Sequence, residues 1–318
     1  MNRRQTITFV VSLISAAGCS SSTSPVVTRP SAFSTTPQVS AGGNHTCVLK
    51  GNGTVACWGQ NNNGQITVPG GLDSVRQISA GGGHTCAQRA NGTLICWGNN
   101  TSEQSAVPAG VASISQVSAA RDHTCALRTN GTVVCWGEDK YGQVAIPAGL
   151  ASVASVSGGD AHTCALKVDG TVVCWGGTGV SFSQDFGQAT VPAGLASVGQ
   201  LSSGGSHTCV AKTTGSVQCW GLNISGQSTV PAGLSGVVQI DAGDSHTCAL
   251  KAEGTVTCWG ANAFGVATVP AGLSSVAQVS AGAFHVCALK TDGTVVCWGY
   301  NEFGQATVPS GLNLKSPN

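Results

Sequence analysis

The chain has 318 residues, enough for one large all-β domain or two ordinary ones, and only 8% of them are charged, against roughly 25% in an average soluble domain. Lys and Arg number 14 and Asp and Glu 13, so the net charge gives nucleic acid or an anionic bilayer no broad cationic surface to grip.

At the N-terminus Arg3 and Arg4 precede an apolar run from Ile7 to Ile14 and then small residues up to Gly18, the layout of a bacterial export signal. The run is too short to span a bilayer. Ala16-Ala17-Gly18-Cys19 resembles a lipobox, which assigns residues 1–18 to a lipoprotein-type signal and makes Cys19 the lipidated first residue of the mature chain; simple secretion is the alternative. Of 15 Cys, Cys19 is the one outside the repeats, and an odd Cys in an exported protein has a special use. Residues 19–37 are mostly Ser, Thr and Pro and read as a tether. The expected location is the cell envelope, on an outer membrane or cell surface, or the medium.

From residue 38 the chain is periodic. All seven His (45, 84, 123, 162, 207, 246, 285) keep one clock of about 39 residues, as do Trp58, Trp97, Trp136, Trp175, Trp220, Trp259 and Trp298. The period breaks once, at an insertion around residues 177–183. In the last copy strands are expected at Ala277–Ala281, Val286–Lys290 and Thr294–Trp298, with a short fourth around Ala306–Val308. Four strands in about 40 residues make a propeller blade. An open solenoid would need polar capping copies, whereas the first and last copies carry the full Cys, Trp and Pro set. Gly311-Leu312 restarts the repeat as if to meet the strand beginning at Gln38. The expected fold is therefore all-β, a closed seven-bladed propeller over 38–313 with a tail at 314–318.

Within each copy the second and third strands meet at a three-residue loop, such as Thr291-Asp292-Gly293, whose last residue should be left-handed. In the first copy that loop sets Lys50 against Thr54 and Leu49 against Val55, hence Cys47 opposite Cys57. The same register pairs Cys86 with Cys96, Cys125 with Cys135, Cys164 with Cys174, Cys209 with Cys219, Cys248 with Cys258 and Cys287 with Cys297. Directly opposed residues suit a disulfide, and an exported chain would hold it. The competing reading, a metal site joining His45 to both sulfurs, lacks a recurring fourth ligand, so no metal and no cofactor is expected.

A residue present in every blade is building the blade. The His are expected to bond backbone between blades and the Trp to pack there. Lys50, Arg89, Arg128, Lys167, Lys212, Lys251 and Lys290 precede the hairpin turns, as solvated strand ends or as a ring for anionic glycan or lipopolysaccharide. Function is sought where blades differ: Tyr141, Phe182, Phe186, Phe264, Phe284, Tyr300 and Phe303 have no repeated strand position, and aromatics anchor interfaces. The loops following Trp in blades 3, 4, 6 and 7 are the first candidate site. Asp122, Asp160 and Asp244 are the best general-base candidates, but none has a distinctive companion, so no enzyme is expected.

His-Thr-Cys-Ala-Leu, Asp-Gly-Thr-Val-Val-Cys-Trp-Gly and Gly-Gln-Ala-Thr-Val-Pro, read in the last copies, resemble the regulator of chromosome condensation repeat family of propellers in a compact bacterial form. The resemblance implies a closed propeller, a fold that hosts many unrelated activities. A nuclear member acts on a small GTPase and chromatin, which an export signal argues against. A secreted member inhibits β-lactamases, which gives inhibition of such an enzyme as an alternative beside glycan binding. The reading is a monomeric, lipid-anchored protein-binding scaffold.

Overall fold

The computed structural model describes residues 36–177 and 185–315; Cys19, the tether up to residue 35 and Phe182 lie outside them. The first blade consists of β1 (Gln38–Ala41), β2 (His45–Leu49) and β3 (Val55–Gly59), an antiparallel sheet in the order β1-β2-β3. Six further three-stranded sheets repeat this order, making seven blades. The middle strand of each blade is buried along its length, as in His45–Leu49, because the neighbouring blades cover both of its faces. This is why His-Thr-Cys-Val-Leu reads as a continuous run and not as an alternation.

The hairpin follows the expected register. Cys47 faces Cys57 and Leu49 faces Val55. The amide of Gly53 donates to the carbonyl of Lys50 at 2.9 Å, with Gly53 at φ +80°. Asn52 fixes the turn, its Oδ1 accepting from the amide and the hydroxyl of Thr54. Asn91, Asn130, Asp169 and Asp292 do the same in their blades, which explains the recurring Asn/Asp-Gly-Thr.

The expected fourth strand does not form. In blade 7 the amide of Ala306 donates to the Asn301 side chain and that of Thr307 to the Gly304 carbonyl, while Pro309 has no N–H to give. These two donors are consumed locally and Pro309 offers none, so the segment stays irregular.

Seven similar polar junctions join the blades. Each His ring places Nε2 at 2.8–2.9 Å from a Thr hydroxyl of the next blade, as in His45 to Thr85 and His285 to Thr46, with one exception described below. That hydroxyl already donates to a backbone carbonyl, Thr85 to Gln65 and Thr46 to Gln305, so it can only accept from the ring. Nε2 therefore carries the proton and the imidazole is neutral. The same carbonyls accept from the Trp indole, Gln65 from Trp97 and Gln305 from Trp58. The expected bond from each His to backbone is not direct: a Thr hydroxyl stands between ring and carbonyl, accepting from the one and donating to the other.

Nearer the axis a glutamine clasps the next blade. Gln77 accepts from the Val117 amide at 2.8 Å and donates to the Val117 carbonyl at 3.0 Å, and Gln116, Gln200, Gln239 and Gln278 repeat the pattern; Gln38 accepts from the Ile78 amide and donates to the Arg76 carbonyl. Blade 4 has Ser155 at this position. At the blade 3–4 junction Ala120 replaces the glycine of the other turns. A Cβ on Gly158 would come within 2.7 Å of the Ala120 Cβ, and blade 4 has Gly158 where most blades carry Ala. The two departures compensate each other.

Closure uses the same contacts. Gln278 clasps Val39, and the Leu314 amide donates to Gly293 while its carbonyl accepts from Gly51. Leu314, assigned to the tail from sequence, is fully buried and packs with Val39, Val48, Trp58 and Leu289. The apolar core is accordingly seven small inter-blade clusters, each holding a cysteine and a Trp from adjacent blades, as Cys47 with Trp97.

Candidate functional site

Because His45 pairs with Gly59, the turns before each His and the loops after each Trp emerge on one face of the ring. The hairpins emerge on the other. The first strands line a central channel of about 1440 Å³ walled by Ser, Gln, Gly and Ala.

Four of the seven aromatic candidates converge on the first face. Tyr300 lies 4.7 Å from Phe264, 6.3 Å from Phe284 and 6.2 Å from Phe303 between ring centroids. Phe264 is 62% exposed, Phe284 42% and Phe303 40%. The Tyr300 hydroxyl donates to Glu302. Tyr141 instead sits under the Lys140 ammonium, 5.1 Å from its ring centroid, and Phe186 is exposed without a ring neighbour among the described residues. Loops from blades 6 and 7 thus form one patch, and among the described residues Tyr141 and Phe186 have no ring contact with it. The aromatics directly before a turn glycine serve the turn through their backbone: the amides of Tyr141, Phe186 and Phe303 donate to the buried Gln two residues on.

Beneath this patch the junction lacks two of its polar links, the buried Gln and the His–Thr bond, although Trp298 still donates to the Val266 carbonyl and Gln239 still clasps Val279; the sequence reading missed this signal. Blade 6 has Val266 in place of the buried Gln, so nothing caps the amide of Phe264, which takes φ +62°. Blade 7 has Val286 in place of Thr, and His246 Nε2 is left without a partner. Val266 and Val286 pack in one cluster with Trp298. Copy-by-copy comparison of Gly-Gln with Gly265-Val266 and of His-Thr-Cys with His285-Val286-Cys287 would have found it. Val286→Thr should restore the missing partner, with the carbonyl of Val266 receiving the hydroxyl proton, and raise stability by about 1 kcal/mol. Thermal unfolding of the variant checks this; an unchanged or lower midpoint overturns the account of His246.

The general-base candidates meet at the channel mouth on this face. Arg121 Nη1 lies 2.9 Å from Asp160 and Arg121 Nε 3.6 Å from Asp122. Burial, then the Asp160 charge, pushes Asp244 up to about 6, with Arg121 opposing. Burial raises Asp122 as well. Below them Asp241 takes the place of a Ser that accepts the next blade's amide in the other blades. It accepts from Ser202 and from the Ala281 amide, and burial lifts it to about 6. No group of three or more His, Cys, Asp or Glu among the described residues is placed to hold a metal ion.

The hairpin face carries the cationic ring. Lys167, Lys251 and Lys290 pair with Asp169, Glu253 and Asp292 of their own hairpins, and Arg89 with Asp73 at 3.9 Å. Lys50, Arg128 and Lys212 have no carboxylate partner among the described residues. Among the described residues the charges are sorted by face. Glu103, Asp122, Glu138, Asp139, Asp160, Asp185, Asp244 and Glu302 share the aromatic face with Arg121 and Lys140. The hairpin face adds Arg76 and Lys315 to its seven ring cations and holds four carboxylates.

The fold and these surfaces define a closed propeller whose shared positions build blades and whose unshared ones gather on its faces. All seven copies match the Regulator of chromosome condensation (RCC1) repeat, over residues 38–65, 75–104, 114–143, 153–188, 199–227, 237–266 and 276–305, and the chain belongs to that family. A search of curated proteins gave no match. Among solved structures, the entire ectodomain of the Physcomitrella patens receptor kinase CR4 is 28% identical, with a TM-score of 0.67 over 83% of this chain and 73% of that one. The CRINKLY ectodomain of the Arabidopsis thaliana receptor kinase ACR4 is 25% identical, with a TM-score of 0.66 over 83% and 96%. Prp20p from Saccharomyces cerevisiae, described with its binding to Gsp1p and histones, is 16% identical with a TM-score of 0.66 over 86% and 84%, a likeness of fold alone.

Proposed function

We propose that this propeller is an exported scaffold that holds a protein partner against the patch of Phe264, Phe284, Tyr300 and Phe303 and performs no chemistry of its own. The observation that carries the reading is the patch itself. Large exposed rings gathered from two blades are what an interface core requires, and the equivalent turns elsewhere offer mostly Gly, Ser and Asn. Seven His neutral and buried in the junctions, and fourteen Cys in disulfides, leave these groups no catalytic part. Prp20p, a propeller of the same fold, binds proteins, which supports a scaffold role. Seven disulfides point to an extracellular or otherwise oxidising compartment, and no helix among the described residues is long and apolar enough to cross a membrane. Attachment through a lipid on Cys19 belongs to the same proposal.

The test is capture from an envelope extract on the disulfide-bonded chain and on Phe264→Ala/Tyr300→Ala. A protein retained by the first and lost by at least tenfold from the second is expected. The same species on both, or none on either, would overturn the reading, provided the variant keeps its thermal midpoint.

A further inference from the structure

The composition leaves a bilayer no cationic surface, yet the fold separates the charges by the height of a blade. Strands of five or six residues rise roughly 17–20 Å, about twice the distance over which salt screens a charge at physiological ionic strength, about 8 Å. An object approaching the hairpins therefore meets nine cations and four carboxylates, and the carboxylates of the other face do not cancel them. Four of the ring cations are held by acids beside them. The three without a carboxylate, Lys50, Arg128 and Lys212, stand in blades 1, 3 and 5, distributed about the ring. Lys290 and Lys315 border the channel opening among them.

We propose that the hairpin face docks on an anionic, phosphate-bearing membrane surface, with the aromatic face turned away from it. Two features fix the orientation. The opposite face, with eight carboxylates to two cations, is repelled by the same surface. The chain preceding the ring also arrives on the hairpin side, since β1 starts there at Gln38 and runs toward the turn that ends at His45. A membrane attachment upstream would hold the cations against the headgroups and present Phe264 and Tyr300 outward. Docking does not depend on that attachment, because the charges act with or without it.

The experiment uses the chain made behind a conventional cleaved secretion signal in place of residues 1–18 and carrying Cys19→Ser, so that no acyl group is present. It is sedimented with phosphatidylcholine vesicles with and without phosphatidylglycerol. Binding is expected only with phosphatidylglycerol, falling as salt is raised. Lys50→Gln/Arg128→Gln/Lys212→Gln should weaken it roughly 100-fold, at the usual worth of three cations near an anionic leaflet. Phe264→Ala/Tyr300→Ala should leave it unchanged, which separates this proposal from the protein-binding reading. Equal binding to neutral vesicles, no binding at low salt, or an unaffected triple variant would overturn it.

Discussion

Between pH 7 and pH 5 the ring should lose on the order of 10 kcal/mol of stability, although no histidine does chemistry. Burial pushes His45 and His207 down to about 4 and His84, His123, His162, His246 and His285 to about 3. In the unfolded chain each titrates near its ordinary 6.5. Over this interval the unfolded state binds protons that the folded state refuses. Stability is full above about 6.5, erodes as pH falls below it, and stops eroding once the folded rings protonate at 3 to 4. Each ring contributes about 2 kcal/mol between pH 7 and 5. Asp241 and Asp244, raised to about 6, act in the opposite sense: they bind protons more readily in the folded ring, so their contribution grows as pH falls and offsets a small part. A charged ring has nowhere to put its second proton, since Nδ1 of His45, His84, His123, His162, His207 and His285 is buried without a partner. Denaturation followed by Trp fluorescence across this range is the measurement. A flat profile between pH 7 and 5 would show that the rings are not the neutral, buried links described above.

Reduction should be the other large perturbation. Each disulfide joins residues ten apart across a hairpin, a loop whose closure stabilises by roughly 2–3 kcal/mol. It also lies in the contact between blades, since Cys47 packs against Val75, Ile78 and Trp97 of the next blade. The bridges are therefore part of the small inter-blade clusters that do duty for a core. Removing one pair, as Cys125→Ala/Cys135→Ala, is expected to cost about 3 kcal/mol in denaturant titration; full reduction should unfold the ring. The sulfurs of the middle strands are buried, so reduction of the folded protein should be slow and speed up with denaturant. Unreduced protein in denaturant should show no alkylatable thiol from the fourteen repeat cysteines, and seven or more would refute the pairing.

Blade number, hairpin register and the cysteine partners were legible in the sequence because each is written seven times, and a strand's side-chain period of two leaves no freedom once the loop length is set. The fourth strand was misread because an apolar Ala-Thr-Val looks the same whether its amides face a strand or a nearby Asn. The aromatic residues were legible individually, as departures from the repeat, but which of them touch depends on how far one blade's loop leans toward the next. Val266 and Val286 escaped notice because a buried valine in an apolar strand is unremarkable until the His beneath it is seen without a partner. The sorting of charge was hidden by the total: the fold decides that residues before the hairpin and residues after the Trp face opposite ways.

The last junction has an implication for concentrated solutions. The Leu314 segment is a short arm that finishes the circle by docking on the first blade, and it does so through the groups that join every other pair of blades. Nothing in that chemistry distinguishes its own first blade from that of a neighbouring molecule. An opened circle could be completed by exchange between chains, and oligomers formed that way would be built from contacts indistinguishable from those of the single ring.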